Sequence, residues 1–283
     1  MTQTPDTTGS TGTTGATGRL PGTWSIGVRR VRIELLQFAR DREAAFFTML
    51  LPVLLLVVFG SAFTGDVAPG IPFSQYFLAG MLASGIVYTS FQNLAISIPQ
   101  ERDDGTLKRL QGTPMPKASY FVGKVGLVLV IYVVQVVVMM AVGVTLFDVH
   151  LPSEPADWWT FTWVSVLGLL CCTLLGVAFS SVPRSGRGAS ALVSPIVLVL
   201  QFTSGVFFQY DELPSWMQQM AALFPLKWLC QGMRSVFLPD SFQRQELAGS
   251  WELGRTALVL TLWSVAALVL ALRYFRFRRR DDT

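Results

Sequence analysis

Charge is scarce in this 283-residue sequence: Asp, Glu, Lys and Arg make up 14% of it, against 51% for hydrophobic residues. Ordinary globular domains carry roughly 25% charged residues, and so few charges cannot cover a water-soluble surface. The chain is therefore expected in a lipid bilayer. Histidine is scarcer still, with His150 alone, which removes most histidine-based catalysis and zinc chemistry. The three cysteines, adjacent Cys171 and Cys172 with a distant Cys230, form neither a disulfide framework nor a metal-ligand spacing. A phosphate-binding GxxxxGK[ST] loop is also missing: Gly123-Lys124 is followed by Val125, and Ala118 stands where the leading glycine belongs. No catalytic residue, metal, bound cofactor or nucleic-acid partner is expected of this chain.

What is present divides readily along the sequence. Residues 1–23 are Thr, Gly, Ser and Pro with little to bury, and read as a disordered tail. Over 24–43, Val28, Val31, Leu35 and Phe38 recur at helical spacing. Arg29, Arg30, Arg32, Glu34, Gln37 and Arg40 take the other faces, which predicts an amphipathic helix lying in the membrane surface. A hydrocarbon core of about 30 Å needs about 20 apolar residues in a helix. Uncharged runs of that kind cover 44–65, 75–98, 125–147, 158–183, 188–210 and 256–272, giving six transmembrane helices within a unit of 44–275. The stretch 211–240 is apolar but interrupted by Pro214, Pro225, Lys227 and Arg234, and reads as a re-entrant helical hairpin. A basic tail, 276–283, closes the chain. The fold class is an all-α integral membrane protein.

Eighteen of the twenty-two basic residues fall on one side of this topology, so the positive-inside rule predicts that both termini are cytoplasmic. Within the six runs there is no Asp, Glu, Lys, Arg or His, which argues against ion-coupled transport and intramembrane hydrolysis. Uncharged polar residues do occur there: Gln92, Asn93 and Ser97, Gln135, and Gln201, Thr203 and Ser204. Two readings of them stand, hydrogen-bonding glue between helices or, for Gln92, Asn93, Gln201 and Ser204 with neighbouring Phe202, the lining of a pathway. Six glycines (Gly60, Gly80, Gly85, Gly143, Gly168 and Gly176) are expected at close helix contacts.

The 99–118 loop has the grammar of a short helix. Asp103 and Asp104 would occupy its first turn and Lys108 and Arg109 its last, matching the helix dipole. Asp104 and Lys108 are spaced for mutual support, Gly112 would stop the helix, and Pro114 and Pro116 prevent its continuation. Leu107 and Leu110 would then form a small apolar ridge on which another protein could dock.

The string from Glu101 through Arg102, Asp103, Asp104, Gly105, Thr106, Leu107, Lys108, Arg109 and Leu110 to Thr113 and Pro114, followed by Gly123-Lys124, resembles the signature loop of the ATP-binding-cassette type 2 exporter permeases. Leu50-Leu51-Pro52, the run Ser204 to Phe208, Leu213 to Trp216, Phe224-Pro225-Leu226 and Gly232-Met233-Arg234 agree with it. The resemblance implies that Glu101 to Pro114 form a coupling helix seated on a separate nucleotide-binding subunit, which holds ATP and Mg. It implies an outer gate in the re-entrant hairpin, with Phe207, Phe208, Pro214, Trp216 and Pro225 as its residues. It further implies two permease copies with two ATPase subunits, working in a bacterial plasma membrane. On that reading an amphipathic drug or lipid-like substrate leaves along an interface lined mainly by spans two and five, free of charge. Alternatives are a polysaccharide or glycolipid exporter of the same architecture and a non-transporting membrane assembly factor.

Overall fold

A computed structural model describes residues 23–113 and 116–275. The expected tails at 1–23 and 276–283 lie outside the described residues except for Thr23, and so does Pro114. Helix α1 (Thr23–Arg40) and helix α2 (Arg42–Ala62) are parted by Asp41 alone. The Asp41 amide donates to Gln37 O and the Ala45 amide to Asp41 O, so the backbone ladder continues through the bend. The Pro/Gly loop that follows is a short antiparallel hairpin, β1 (Asp66–Ala68) and β2 (Ile71–Pro72), turning at Gly70.

Span two is one long helix in three parts: α3 (Phe73–Ile86), a π-helical turn (Val87–Gln92) and α4 (Asn93–Asp103). In the middle of it the Thr89 hydroxyl donates to Gly85 O at 2.8 Å and the Ser90 hydroxyl donates to Ile86 O, so side chains as well as amides bond the carbonyls there. At 1.5 Å per residue its 31 residues measure about 46 Å, longer than a hydrocarbon core of about 30 Å. Its charged last turn, Glu101 to Asp103, can thus stand beyond the lipid tails while the rest stays in them.

Then come α5 (Thr106–Gln111), α6 (Lys117–Phe147), α7 (Pro155–Phe179) and α8 (Gly186–Thr203). A helical pair, α9 (Ser215–Ala222) and α10 (Pro225–Phe237), matches the expected broken hairpin, and α11 (Leu253–Tyr274) ends the described chain. Among the described residues six helices are long and apolar enough to cross a membrane, and each coincides with one of the six uncharged runs.

Span two is the centre of the bundle. Every residue of α3 from Ser74 to Ile86 is buried, packed by α2, α6, α7 and α10. Of the two spans expected to line a subunit interface, span two has no free face along α3, which is wrapped on all sides, whereas Tyr88, Gln92 and Asn93 in the π turn and α4 are only partly buried. By contrast α2, α8 and α11 leave Leu54 and Val58, Leu198 and Val199, and Leu258 and Leu262 exposed on apolar faces turned away from the core.

Helix α1 also departs from expectation. Its polar face is divided: Arg29, Arg32, Gln37 and Arg40 are exposed, but Gly27, Arg30 and Glu34 point into the protein against α6, while Val28 is 65% exposed and Ile33 and Leu36 are exposed with it. Glycine makes the close crossing possible. A Cβ on Gly126 would sit 2.3 Å from Val31 and one on Gly123 2.4 Å from Arg30, so neither position has room for a side chain. The six glycines singled out from the sequence all meet atoms of neighbouring elements within 3.2 Å of where a Cβ would stand.

Candidate functional site: two charged junctions and a cavity

At the α5 end of the bundle, four charges from three helices form one chain. Arg30 pairs with Glu34 at 2.8 Å, one turn along α1. Glu34 accepts from the Lys124 ammonium at 2.8 Å, and Lys124 also donates to Glu101 at the end of α4. Tyr120, one turn before Lys124 on α6, donates to the other Glu101 oxygen at 2.8 Å, and its ring lies under Arg30 and Lys124. Lys124 is 2% exposed. Burial of so many charges is tolerable only because two carboxylates meet two cations with nearly every oxygen and ammonium proton directed at a partner.

The next two residues bind other helices. Arg102 donates to Ser180 O at 3.2 Å, at the end of α7, and Asp103 accepts from the Gly186 amide at 2.6 Å, at the start of α8. Glu101 therefore holds α6 and, through Lys124, α1, while Arg102 holds α7 and Asp103 holds α8. The sequence reading is corrected here: Asp103 and Asp104 do not open the short helix. Asp103 is the last residue of α4 and Asp104 caps it; Gly105, at φ 72°, breaks the chain, and α5 begins at Thr106. The left-handed conformation costs glycine little, which makes it the break point.

The apolar ridge is corrected as well. Leu107 is fully buried in the main core and Leu110 packs against it, so neither forms an exposed docking ridge. What α5 exposes is Lys108 and Arg109, next to the exposed Asp104 and Thr113. Arg109 donates to Asp104 O at 3.0 Å and Thr113 to Leu110 O at 2.7 Å, bonds that keep the segment compact.

Beside this junction lies a cavity of about 540 Å³, lined by α1, α2, α4, α5 and α6 together with the π turn. Tyr88, Gln92 and Asn93 enter it from span two, and Phe47, Leu51 and Pro52 from α2. The structure thus brings Gln92 and Asn93 together in one chamber. Gln201 and Ser204 do not reach it: both are fully buried elsewhere, Gln201 near the Tyr88 hydroxyl, and the Ser204 hydroxyl has no hydrogen-bond partner. Phe202 is half exposed and stacks on Phe207 at 4.8 Å. The chamber itself is not free of charge, since Glu34, Asp41, Glu101, Asp104 and Lys124 all line it.

A second charged junction sits at the α10 end. Arg234 bonds Glu246 at 2.8 Å with both side chains under 5% exposed, and its other nitrogen donates to Tyr76 of span two and to Gly205 O beyond α8. The Tyr76 hydroxyl in turn donates to Gly205 O and Phe208 O, and Gln75 to Phe237 O. Burial alone would lower the Arg234 pKa, but the Glu246 carboxylate outweighs it and holds the guanidinium more firmly charged than usual. Lys227, buried on the same helix beside Gln231 and over the Trp228 ring, is lowered to about 8, chiefly by burial.

The residues expected at an outer gate are distributed around this junction. Phe207 is buried and packed on Phe59, Phe77 and Phe202, Phe208 is half exposed, Trp216 projects exposed from α9, and Pro214 and Pro225 begin α9 and α10. Sequence reading did not find the Arg234–Glu246–Tyr76 lock. The signal for it was an arginine inside an apolar stretch, which demands a counter-ion, with Glu246 twelve residues on.

A family model described as ABC-2 type transporter matches residues 30–238 of this chain. Among curated relatives, the probable doxorubicin resistance ABC transporter permease protein DrrC of Mycobacterium tuberculosis is 26% identical over 245 residues, 81% of this chain and 85% of DrrC. The putative transport permease YvfS of Bacillus subtilis is 20% identical over 192 residues, 68% of this chain and 77% of YvfS. The probable multidrug ABC transporter permease YbhR of Escherichia coli is 22% identical over 147 residues, 52% of this chain. That match spans only 39% of YbhR. These relatives are membrane components of transporters rather than enzymes.

Proposed function

This chain belongs to the ABC-2 type transporter family, and from that premise we propose that it is the permease subunit of an ATP-driven exporter of amphipathic, drug-like or lipid-like molecules. ATP and Mg belong to a separate nucleotide-binding subunit that docks at the α5 end, which faces the bacterial cytoplasm together with both termini. Two copies of the permease form the working unit, with the faces of α2 and α8 available to meet. The observation that carries this reading is the run Glu101-Arg102-Asp103, in which adjacent side chains hold three different helices and, through Lys124, a fourth. A partner pressing on exposed Asp104, Lys108 and Arg109 would move those helices together, because tightly packed elements transmit displacement instead of absorbing it. At the other end, the Arg234 lock ties α10 to span two and to the end of span five, and its opening would release the outer hairpin.

Aromatic platforms for a glycan find less support, since Phe207 is buried against Phe59 and Phe77 within the protein. The test is co-purification with the ATPase encoded beside it, then reconstitution in vesicles. Charge reversal at Lys108 and Arg109 is expected to weaken ATPase binding with the permease still folded. Unaltered binding and substrate-stimulated hydrolysis in K108E/R109E would overturn the docking assignment.

A further inference from the structure

The part of span two that lines the chamber at the α5 end carries a polar stripe. Asn93, Ser97 and Gln100 follow one another at helical spacing on α4, and Gln92 precedes them at the end of the π turn. Two groups in this stripe are unmatched: Gln92 Oε1 and the Ser97 hydroxyl are withdrawn from solvent and have no hydrogen-bond partner among the described residues. Such groups are costly to leave unpaired, and a hydroxyl brought by a ligand would pair them. Both residues are only half-buried and line the chamber, so a ligand there meets them. The charges beside them are already taken. Glu34 accepts from Arg30 and Lys124, and Glu101 from Lys124 and Tyr120, so two acids and two bases balance within the wall. A charged head drawn to the depth of Gln92 would shed its water and find every inner counter-ion engaged, whereas an uncharged hydroxyl loses less and gains a bond. Helices α1 and α2 add apolar surface through Phe38, Phe47, Leu51 and Pro52. A volume of about 540 Å³ falls within the roughly 300–1,000 Å³ of chambers that enclose drug-sized ligands.

We propose that this chamber binds uncharged amphiphiles with hydroxyl-bearing heads, the head bonded to Gln92 and Ser97 and the apolar body lying against Phe47 and Leu51. Selection is by hydrogen bonding rather than by net charge. A molecule of the same shape with its hydroxyls methylated meets the same apolar wall but brings no donor, and so leaves Gln92 Oε1 unpaired. The inference deepens the export reading by naming a substrate class, and rests on it only for the direction of movement.

Decylglycerol, an alkyl ether of glycerol with two free hydroxyls, and its dimethylated form share a chain and carry no charge, but only the first donates hydrogen bonds. The dimethylated form enters lipid more readily, so a weaker effect from it does not reflect poorer access. Thr48, half-buried on the chamber wall, is replaced by cysteine as a reporter; the native Cys171, Cys172 and Cys230 are all buried. In full-length T48C permease in nanodiscs, decylglycerol is expected to slow maleimide labelling of this cysteine by about fivefold or more, while the dimethylated form leaves it within a factor of about two. Decyltrimethylammonium, with the same chain and a positive head, is expected to behave as the dimethylated form does. Adding Q92M and S97A, which stay close to the native volume, should abolish the preference for decylglycerol, and S97T, which retains the hydroxyl, should keep it. Equal protection by the dimethylated form or by decyltrimethylammonium, or a preference that survives Q92M/S97A, overturns the site. Binding is read without ATP, so the two readings fail separately. Protection by decylglycerol without its ATP-driven movement sinks export and leaves the site, whereas ATP-driven movement of other substrates with no protection by decylglycerol sinks the site and leaves export.

Discussion

Replacing Lys124 by methionine should damage the protein in two separable ways. The ammonium lies 2.8 Å from Glu34 and closer still to Glu101. At an effective dielectric of about 20, one such pair at 2.8 Å is worth about 6 kcal/mol of attraction. Several kcal/mol of desolvation oppose it for each buried ion, so the intact junction contributes far less than its Coulomb energy. Removing one member is different, because Glu34 and Glu101 are left facing each other with Arg30 as their one shared cation. A loss of about 3–5 kcal/mol is expected for K124M. Neutralising Glu101 in the same protein, as K124M/E101Q, leaves the balanced Arg30–Glu34 pair and should recover about half of that loss or more. Resistance to thermal unfolding in mild detergent, compared across wild type, the two single variants and the double, gives the coupling energy. Substrate-stimulated ATP hydrolysis with the partner subunit gives the second readout. The double variant should be folded yet poorly stimulated, since the link from α4 to α1 and α6 is gone. Additive losses in the cycle would refute the ion-chain account of stability. Full stimulation in the double variant would refute its role in transmission.

At the opposite end, R234M should destabilise by about 3–5 kcal/mol by stranding Glu246, and R234M/E246M should be markedly less harmed than R234M, measured by the same thermal cycle. Gly126→Leu would force a side chain into Val31, which stands 2.3 Å from the ideal Cβ position, so α1 must leave α6. Overpacking of that kind costs about 1–3 kcal/mol, and proteolysis should then cut near Arg40 faster than in wild type. Lys227 has a folded pKa lowered to about 8 from the ordinary 10.5. The unfolded chain therefore binds more protons between those values, and this group's contribution raises stability with pH from about 8 to 10.5. In K227M that increment should vanish from the pH profile of thermal stability, and an unchanged profile would contradict the assignment.

The six crossings were legible because a bilayer imposes a length and forbids charge, and both constraints are written residue by residue. Which face of a helix turns inward was not. Periodicity places Arg30 and Glu34 on the polar side of α1, but the same pattern serves a face turned to lipid headgroups and one turned to buried counter-ions. Lys124 lies 90 residues from Glu34, and Gly123 and Gly126 decide the approach without any local trace of what they admit. The short loop helix was misplaced for a related reason. Asp103 and Asp104 followed by Lys108 and Arg109 suit a helix that starts at the acids equally well as one that ends there and restarts, and the left-handed Gly105 selects the second. The same reasoning explains what span two does. It carries Tyr76, bonded to Arg234, near one end and Glu101, bonded to Lys124, near the other, with every residue between Tyr76 and Val87 buried. A displacement applied at Glu101 can therefore reach the Arg234 lock along this helix only by passing the π turn at Val87–Gln92, which is also where Tyr88 and Gln92 enter the chamber.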